Sequence, residues 1–395
     1  MEIKKIKGVI KEYDWGSLDF LPSLFKYKSN GKPQAEAWFG THPSGEAVLE
    51  DGTLLSELIK SNPEKYLGKI CIDRLGDKLP LLLKVLAIRT PLSIQCHPTR
   101  EQAKAGFAKE APLREKGVLP KDLNYQDDNQ KAEVLYALTP VTAMCGFRSF
   151  EAINYNLKKL IPSAFESYFE SSKDIADLFY RLYTLDVDSL KGVIDEFLAN
   201  IEKSEEESTI NGSYLTARGI VENVYPLYGV DPGVLMPYLL NVIHLRPGEA
   251  VYLKPTVLHA YVKGNGVELM SLSDNVLRGG LTHKKVDVPE LISVMTKSAS
   301  SPNICKKSTD RFLRERIETP TDDFNLLVLK SGSYDINEAV PSLILCTDGV
   351  ARVGTSNDHI ELKEGECCFV PSCDEEYHVR VNGKVFQAVV PETLK

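Results

Sequence analysis

Short apolar runs separated by polar and turn residues fill the first 140 positions of the chain. Residues 79–94 form an almost continuous apolar run, interrupted at Thr90 and Pro91, and residues 131–137 form a shorter one. Runs of this length between turn residues are typical of buried β-strands. We therefore predict a strand, a turn and a second strand over 79–94, and a further strand over 131–137. Residues 99–109 are instead predicted to be helical, with Thr99 as the N-cap.

The periodicity changes near residue 150. From there to about residue 204, apolar residues recur every three or four positions, which predicts amphipathic helices. The acidic run over 202–207 is interpreted as a solvated loop. Further helices are predicted over 219–225 and 233–240.

Strand patterns return after residue 241 and continue to the end of the chain. Residues 242–255 predict a strand, a Pro-Gly turn and a second strand, and Gly-Asn-Gly at 264–266 predicts a tight turn. From residue 324 onward, apolar runs alternate with turn residues, so this part is predicted to be almost wholly β.

A weak internal repeat links the two β-rich regions. Residues 245–262 align with residues 362–379 after one gap. Both copies show a strand, a Gly-Glu turn, a strand and a proline, which resembles the second half of a cupin motif. Cupins are double-sheet jelly rolls, in agreement with the density of strands. The copies differ at His259, because the second copy has Glu375 there. A purely structural second barrel is preferred, although His378 leaves a second metal site open.

These patterns predict a mainly β protein with an α-helical domain, built as two cupin-like jelly-roll barrels plus a helical insertion. Residues 1–149 together with 241–323 are expected to form the first barrel. Residues 150–240 are expected to form the helical domain, and residues 324–395 the second barrel.

Composition excludes several partners. The formal net charge of −8 gives no electrostatic reason to expect nucleic acid or an anionic membrane. The start of the chain lacks the apolar segment of a signal peptide, and no apolar run reaches the roughly 18 residues needed to span a bilayer. The eight cysteines form no C-x-x-C pair, which favours reduced thiols. We therefore expect a cytoplasmic protein. A monomer is the expected state, and a homo-oligomer stays open.

Three separate segments offer metal-ligand donors. Gln95 and His97 are two positions apart, so both side chains point to the same face of a strand. Glu133 and His259 add a carboxylate and a second imidazole. Such N and O donors suit a divalent cation such as Zn²⁺ if the segments meet in space. Cys96 should point to the opposite face, which disfavours ligation by its thiol.

Five blocks of the sequence resemble the type I mannose-6-phosphate isomerase (phosphomannose isomerase) family. They are YDWGS at 13–17, AEAWFGTHPSG at 35–45, PLLLKVLAIRTPLSIQCHP at 80–98, AMCGFR at 143–148 and the long block HAYVKGNGVELMSLSDNVLRGGLTHKKVDVPEL at 259–291. The resemblance is strong in these blocks and weak across the helices. Three departures occur. KAEV stands where the family usually has KPEM, THKK stands where it often has TPK, and the LKPTVLH approach to His259 is an unusual version.

The resemblance implies a metal cofactor and a phosphorylated hexose substrate. One Zn²⁺ per chain would be bound by Gln95, His97, Glu133 and His259, with other divalent metals as an alternative. Four such ligands could leave an open position for water or a substrate oxygen. Recognition of a phosphate dianion needs fixed cations and donors. The implied substrate-binding residues are Ser93, Lys84, Lys284, Trp15, Asp14, Tyr261 and Glu36.

Some of these assignments have ordinary alternatives. Lys284 could be a surface lysine, because Lys285 is adjacent and a small register error would exchange the two. Lys84 could extend its ammonium group to solvent past an apolar stem. For Trp15 and Tyr261, simple core packing is nearly as well supported.

The implied reaction interconverts D-mannose 6-phosphate and D-fructose 6-phosphate, and by analogy serves mannose metabolism and GDP-mannose biosynthesis. This isomerisation moves a proton between C1 and C2 through a cis-enediol, so it needs a base near C2 and an electrophile. Glu268 is the preferred base, and Arg278 and the metal are the natural electrophiles. Asp274 could be the base instead, or could orient Arg278. Lys131 shares a strand face with Glu133 and could carry a proton.

Two other classes of protein remain open at this point. A cupin-type sugar-binding or regulatory protein would keep the fold without the chemistry, but the intact Glu268 and Arg278 argue against it. A metal-dependent oxygenase usually has a two-His-one-carboxylate triad with Fe(II). Here Gln95 would add a fourth ligand, and the lysines favour a phosphate.

Overall fold

The computed structural model of the protein describes residues 1–392. The strands, numbered in chain order, are β1 (Lys4–Lys7), β2 (Val9–Lys11), β3 (Glu36–Gly40), β4 (Val48–Leu49), β5 (Leu81–Ile88), β6 (Gln95–Cys96), β7 (Glu133–Ala137), β8 (Val141–Phe147), β9 (Thr209–Ile210), β10 (Tyr214–Leu215), β11 (Leu240–Leu245), β12 (Ala250–Leu253), β13 (His259–Ser271), β14 (Leu277–Arg278), β15 (Asn303–Ile304), β16 (Lys307–Thr309), β17 (Glu315–Ile317), β18 (Asn325–Asn337), β19 (Ser342–Gly354), β20 (His359–Lys363), β21 (Cys367–Val370) and β22 (Glu376–Val389).

The helices, also in chain order, are α1 (Phe20–Leu24), α2 (Leu55–Ser61), α3 (Pro63–Leu75), α4 (Arg100–Glu115), α5 (Phe150–Leu160), α6 (Pro162–Ala164), α7 (Ile175–Thr184), α8 (Val187–Glu202), α9 (Ala217–Tyr228), α10 (Met236–Leu239) and α11 (Val288–Val294). None of the described helices is both long enough and apolar enough to cross a membrane.

The predicted fold class is confirmed. The chain forms two large antiparallel sheets, and a mainly helical segment lies between β8 and β11 of the first sheet. Apolar faces of α5, α7, α8 and α9 pack into one core with residues of β6, β8 and β13. α4 begins after Thr99, whose side chain accepts from the Gln102 backbone N–H while the Gln102 side chain caps Thr99 in return. The second strand predicted within 79–94 is wrong in its position, because residues 91–94 form no strand and β6 begins only at Gln95.

The first sheet has eleven strands and surrounds the interior of the first barrel. Its main path is β15-β12-β7-β13-β5-β3-β2, with β6, β8, β11 and β14 attached beside it. The start of β13 pairs with β6 and β8, whereas the remainder pairs with β5 and β7. A single long strand therefore joins both walls of the barrel.

The tight turn predicted at 264–266 is wrong, because β13 continues through these residues. Gly264 has a φ of +118°, and a Cβ atom there would lie 2.4 Å from the carbonyl oxygen of Pro140. The register also shifts between Tyr261 and Lys263. Glycine and the bulge let the strand bend from one wall of the barrel to the other without ending.

The second sheet has nine strands in the order β16-β17-β18-β22-β19-β21-β1-β4, with β20 paired to β19. The strands predicted after residue 324 are confirmed as β18 to β22. Pairing also places β1, β4, β16 and β17 in this sheet, although their residues fall in the predicted first barrel. The division of the chain into domains stays a prediction.

Alternation along the strands decides which side chains reach the interior of the first barrel. On β5, Leu83 and Val85 pack between the two sheets, whereas Leu86 and Ile88 pack inside the barrel. Lys84 is on the same strand face as Leu86, so it also points inward. One end of the interior is apolar, and charged side chains occupy the other end.

Candidate active site

Glu133 lies between two imidazoles at the charged end of the first barrel. Its Oε2 atom is 3.6 Å from Nε2 of His97 and 3.5 Å from Nε2 of His259. All three side chains are buried, and their ligand atoms lie within 4.8 Å of one another. Among residues 1–392 this is the group of His, Cys, Asp and Glu side chains that could hold a metal ion.

Backbone carbonyls fix the orientation of both imidazoles. Nδ1–H of His97 donates to the Asn275 oxygen at 2.7 Å, and Nδ1–H of His259 donates to the Val257 oxygen at 2.9 Å. Each ring therefore presents an unprotonated Nε2 to Glu133, as a metal-ligating histidine does. Nε2 of His97 is buried without a hydrogen-bond partner in the described part of the chain. Burial and the nearby Lys131 ammonium lower the pKa of His97 to about 4.

Gln95, the fourth predicted ligand, lies beside this group. On β6 it is opposite His259 in one strand pair and opposite Arg278 in the other. Its Nε2 atom donates to Oγ of Ser93 at 3.5 Å, which leaves the amide oxygen unassigned. Ser93 thus contacts a predicted ligand, but it does not line the cavity described below. Cys96 packs into the apolar core on the opposite side, as predicted.

Lys131 connects the group to a cavity. Its Nζ atom is 2.8 Å from Oε1 of Glu133, and its side chain lines the cavity wall. Burial alone would raise the pKa of Glu133, but the charge of the adjacent Lys131 ammonium holds it well below its usual value. Glu133 is therefore an ionised carboxylate at neutral pH.

A second charged cluster lies along β3, β5 and β13. Nζ of Lys84 is 3.2 Å from Glu268 and 4.0 Å from Glu36, and Oη–H of Tyr261 donates to Glu268 at 2.9 Å. Burial alone would lower the pKa of Lys84, but these carboxylates raise it above its ordinary value. Burial raises the pKa of Glu268, and Lys84 opposes that rise. The ring of Trp38 lies 5.0 Å from the Lys84 ammonium.

The cavity has a volume of about 620 Å³ and opens next to these two clusters. Predicted residues on its walls are Glu36, Lys84, Lys131, Asp274, Arg278 and Lys284. Within residues 1–392, neither Arg278 nor Lys284 forms an ion pair. Burial lowers the pKa of both groups, and the charge of Arg278 lowers that of Lys284 further. Two uncompensated cations thus face one cavity, which favours an anionic ligand.

The structure does not bring every predicted residue to this cavity. Asp14 is exposed and its carbonyl oxygen accepts from Arg89. Trp15 packs against the apolar cluster inside the barrel, which also contains Tyr261. Tyr13, two positions before Trp15, lines the cavity instead.

Sequence reasoning missed His42 and Trp38, although both lie in the AEAWFGTHPSG block. Nε2 of His42 is 2.9 Å from Oδ1 of Asp274, and its ring meets the edge of Trp38 with centroids 4.8 Å apart. Trp38 also donates to Glu36. The alternation of side chains along β3 could have identified Trp38, because it lies on the same strand face as Glu36.

Known proteins match this chain over its whole length. Residues 3–150 match the family model of the type I phosphomannose isomerase catalytic domain. Mannose-6-phosphate isomerase from Escherichia coli strain K12 is 32% identical, over 97% of this chain and 98% of that protein. The Homo sapiens mannose-6-phosphate isomerase is 31% identical over 91% of each chain.

Solved structures agree with these matches. A histidine-to-alanine variant of phosphomannose isomerase from Salmonella typhimurium superposes with a TM-score of 0.89 at 28% identity, covering 99% of this chain and 100% of that one. A mannose 6-phosphate isomerase crystallised with zinc and yttrium gives a TM-score of 0.88 at 28% identity, with the same coverage.

Fold and site together define a cupin-like protein with a His/Glu/His group that could hold a metal, next to a cationic cavity. The matches show the family, because this chain belongs to the type I phosphomannose isomerases. The predicted resemblance and the predicted enzyme class, an isomerase, are confirmed. Membership favours this class over the sugar-binding and oxygenase alternatives.

Proposed function

We propose that this chain is a zinc-dependent isomerase that interconverts D-mannose 6-phosphate and D-fructose 6-phosphate. One observation carries the proposal. The Glu133 group that could hold a metal is linked through Lys131 to a cavity whose walls include the unpaired cations Arg278 and Lys284. An electrophilic centre and an anion-binding wall in one cavity suit a phosphorylated sugar.

The residues present fit zinc. His97 and His259 offer unprotonated Nε2 atoms, Glu133 is ionised, and Gln95 lies opposite His259 with a free amide oxygen. These four residues would hold the ion, and the buried Nε2 of His97 would gain the partner that it lacks. When bound, zinc supplies a Lewis acid that polarises a sugar oxygen.

Arg278 and Lys284 would bind the phosphate. A guanidinium offers paired donors to phosphate oxygens, and Lys284 adds a second charge on the same wall. Burial lowers the pKa of both groups, and the negative charge of a bound phosphate would raise it again. Asp14, Trp15 and Ser93 would support the site without lining the cavity.

A cis-enediol route needs a group that removes the proton from C2 of the open-chain aldose and another that returns it at C1. We infer that Glu268 is the base, because burial raises its pKa and so strengthens it as a proton acceptor. Glu268 does not line the cavity, but Lys84 contacts it and does line the cavity, so the Lys84 ammonium is placed to give its own proton to the sugar and to take the proton of Glu268 in exchange. Tyr261 and Glu36 would hold this pair in position.

Deuterium exchange tests the proposal directly. The zinc-loaded protein is incubated with D-mannose 6-phosphate in deuterated water and followed by NMR. We expect D-fructose 6-phosphate with solvent deuterium incorporated at carbon, loss of turnover after chelation, and recovery when zinc is added back. Absence of conversion by fully zinc-loaded protein would overturn the proposal.

The cysteine pattern supports a cytoplasmic location. Membership of the family supports a role in mannose metabolism, and by analogy we propose that the product supplies GDP-mannose biosynthesis. Fractionation of cells that express the chain tests the location, and sedimentation analysis tests whether it is a monomer.

A further inference from the structure

We propose that His42 is a positioning residue that holds the Asp274 carboxylate at the cavity wall, where its other oxygen accepts a hydroxyl group of the sugar. The inference deepens the proposed function and rests on it for the identity of the ligand. The geometry of the His42–Asp274 pair itself does not depend on that function.

His42 is a buried part of the cavity wall. It follows β3 in a turn closed by a hydrogen bond from Gly45 N–H to the His42 carbonyl at 2.9 Å. Its side chain is 3% exposed and its ring packs at the edge of Trp38. An imidazole in this position has little rotational freedom.

Two hydrogen bonds fix which nitrogen of His42 carries the proton. The backbone N–H of Ser44 donates to Nδ1 at 3.1 Å, so Nδ1 is an acceptor. Nε2 must then carry the hydrogen in the neutral ring, and it donates to Oδ1 of Asp274 at 2.9 Å. The turn thus presents a donor to the carboxylate without requiring a charged imidazole.

Asp274 is held from two sides. Its backbone N–H donates to Oδ2 of Asp127 at 2.7 Å, and its side chain accepts from His42. Burial alone would raise the pKa of Asp274, but the hydrogen bond from His42 and the charges of the nearby Lys131 and Lys84 hold it below its usual value. Asp274 is therefore ionised and oriented before any ligand binds.

The second oxygen of Asp274 faces a different environment. Asp274 lines the cavity and is half exposed. In the described residues, Oδ2 of Asp274 has no protein donor, and no ion pair joins Asp274 to Arg278. The geometry thus disagrees with a role in orienting Arg278, and it leaves an ionised oxygen available to a sugar hydroxyl.

Two substitutions separate this role from a structural one. In His42→Gln the amide nitrogen can replace Nε2 and donate to Asp274, whereas the acceptor for Ser44 is lost. In His42→Asn the amide oxygen can replace Nδ1 and accept from Ser44, whereas the donor to Asp274 is lost. Both variants lose the ring packed on Trp38, so each is the matched control for the other.

We expect kcat/KM to fall by about 10- to 100-fold in His42→Asn, as for the loss of one hydrogen bond to a charged group. His42→Gln should stay within about threefold of the unmodified chain. Introducing Asp274→Asn into the His42→Asn background should lower kcat/KM little further, because both substitutions act on the same hydrogen bond between His42 and Asp274. Equal loss in both variants, or a larger loss in His42→Gln, would overturn the proposal.

Imidazole ¹⁵N NMR of the metal-free protein gives a readout that does not depend on activity. We expect Nε2 protonated and Nδ1 unprotonated for His42 near neutral pH, with the Nε2–H signal shifted in Asp274→Asn. Protonation at Nδ1 would overturn the proposal. A chain that passes this test but fails to convert the sugar phosphate would refute the proposed function instead.

Discussion

Two arginines, one beside each large sheet, show how differently the same side chain can be used. Arg314 lies between β16 and β17 of the second sheet and is 1% exposed, and its guanidinium contacts Asp310 and Glu338 at 2.7 Å and Gln387 at 2.9 Å. Arg278 lines the cavity of the first barrel without any ion-pair partner among residues 1–392. The guanidinium donors of a fully paired arginine are already used within the protein, whereas those of an unpaired arginine are available to a ligand.

The same contrast extends to the two interiors. The apolar core of the second barrel consists of aliphatic side chains together with Tyr377, Cys346 and Cys368. Its histidine–aspartate pair, His378 and Asp335, lies on the outside and is largely exposed. In the first barrel, Lys84 and Glu133 are buried inside. An interior that retains charged side chains gives up apolar packing, and the first barrel does so around Lys84 and Glu133.

Replacement of Glu133 should give the largest effect. Glu133→Ala removes the carboxylate between the two imidazoles, so we expect zinc to be lost and kcat/KM to fall by about 10³-fold or more. Elemental analysis and steady-state kinetics measure the two losses. His378→Ala, in the second barrel, is the control and should change neither. Retained turnover in Glu133→Ala would exclude this ligand group.

The two arginines should separate activity from stability. Arg314→Ala leaves buried carboxylates unpaired, so we expect the free energy of unfolding to fall by about 3–5 kcal/mol. Arg278→Ala should leave stability nearly unchanged and should lower kcat/KM by about 100-fold, because the lost contact is with the ligand. Urea unfolding and kinetics on both variants test this. A stability loss in Arg278→Ala large enough to explain its inactivity would contradict the comparison.

The sequence predicted part of this site and of the helices through local spacing, and the remaining site residues only through the resemblance to a known family. The alternation Gln95-x-His97 placed two donors beside each other, and the helical repeat after residue 150 predicted α5, α7 and α8. These signals involve residues close together in the chain. Periodicity therefore reports them without knowledge of the tertiary structure.

What the sequence did not predict depends on distant contacts. The Gly-Asn-Gly segment favours a turn locally, but strand partners on both sides keep β13 continuous. His42 gains its role only when Asp274, far away in the chain, folds against it. Trp15 was expected at the pocket, but Tyr13 lines it instead, because the irregular segment there does not follow strand alternation.

The two bends of the long strands offer a third comparison. Gly264 in β13 and Gly383 in β22 both have positive φ, at +118° and +127°, and a Cβ atom at either would lie within 2.4 Å of a backbone oxygen. We expect Gly264→Ala and Gly383→Ala each to cost about 1–3 kcal/mol of unfolding free energy. Only Gly264→Ala should also lower kcat, because β13 carries His259 and Glu268. Equal activity in the two variants would show that the bend does not position the site.

The smallest expected effect compares the two histidine–aspartate pairs at low pH. The pKa of Asp274 is lower in the folded chain than its unfolded value of about 3.9. The ionised carboxylate therefore stabilises the fold above that value, and this contribution is lost as the pH falls through the lower folded value. Because Asp274 is half exposed, solvent screening should limit the effect to less than about 1 kcal/mol. Asp274→Asn should flatten the acid limb of unfolding free energy against pH.

Asp335→Asn in the second barrel is the matched control for that measurement. His378 and Asp335 are also in contact, at 2.5 Å, but their side chains are 52% and 86% exposed. Exposed pairs contribute little to stability, so the acid limb should not change in this variant. If both substitutions flattened the curve equally, contact alone would explain the effect. If only Asp274→Asn does so, the buried ring of His42 is what distinguishes the first pair, and the same contact has a different energy because one of its partners is inside the protein.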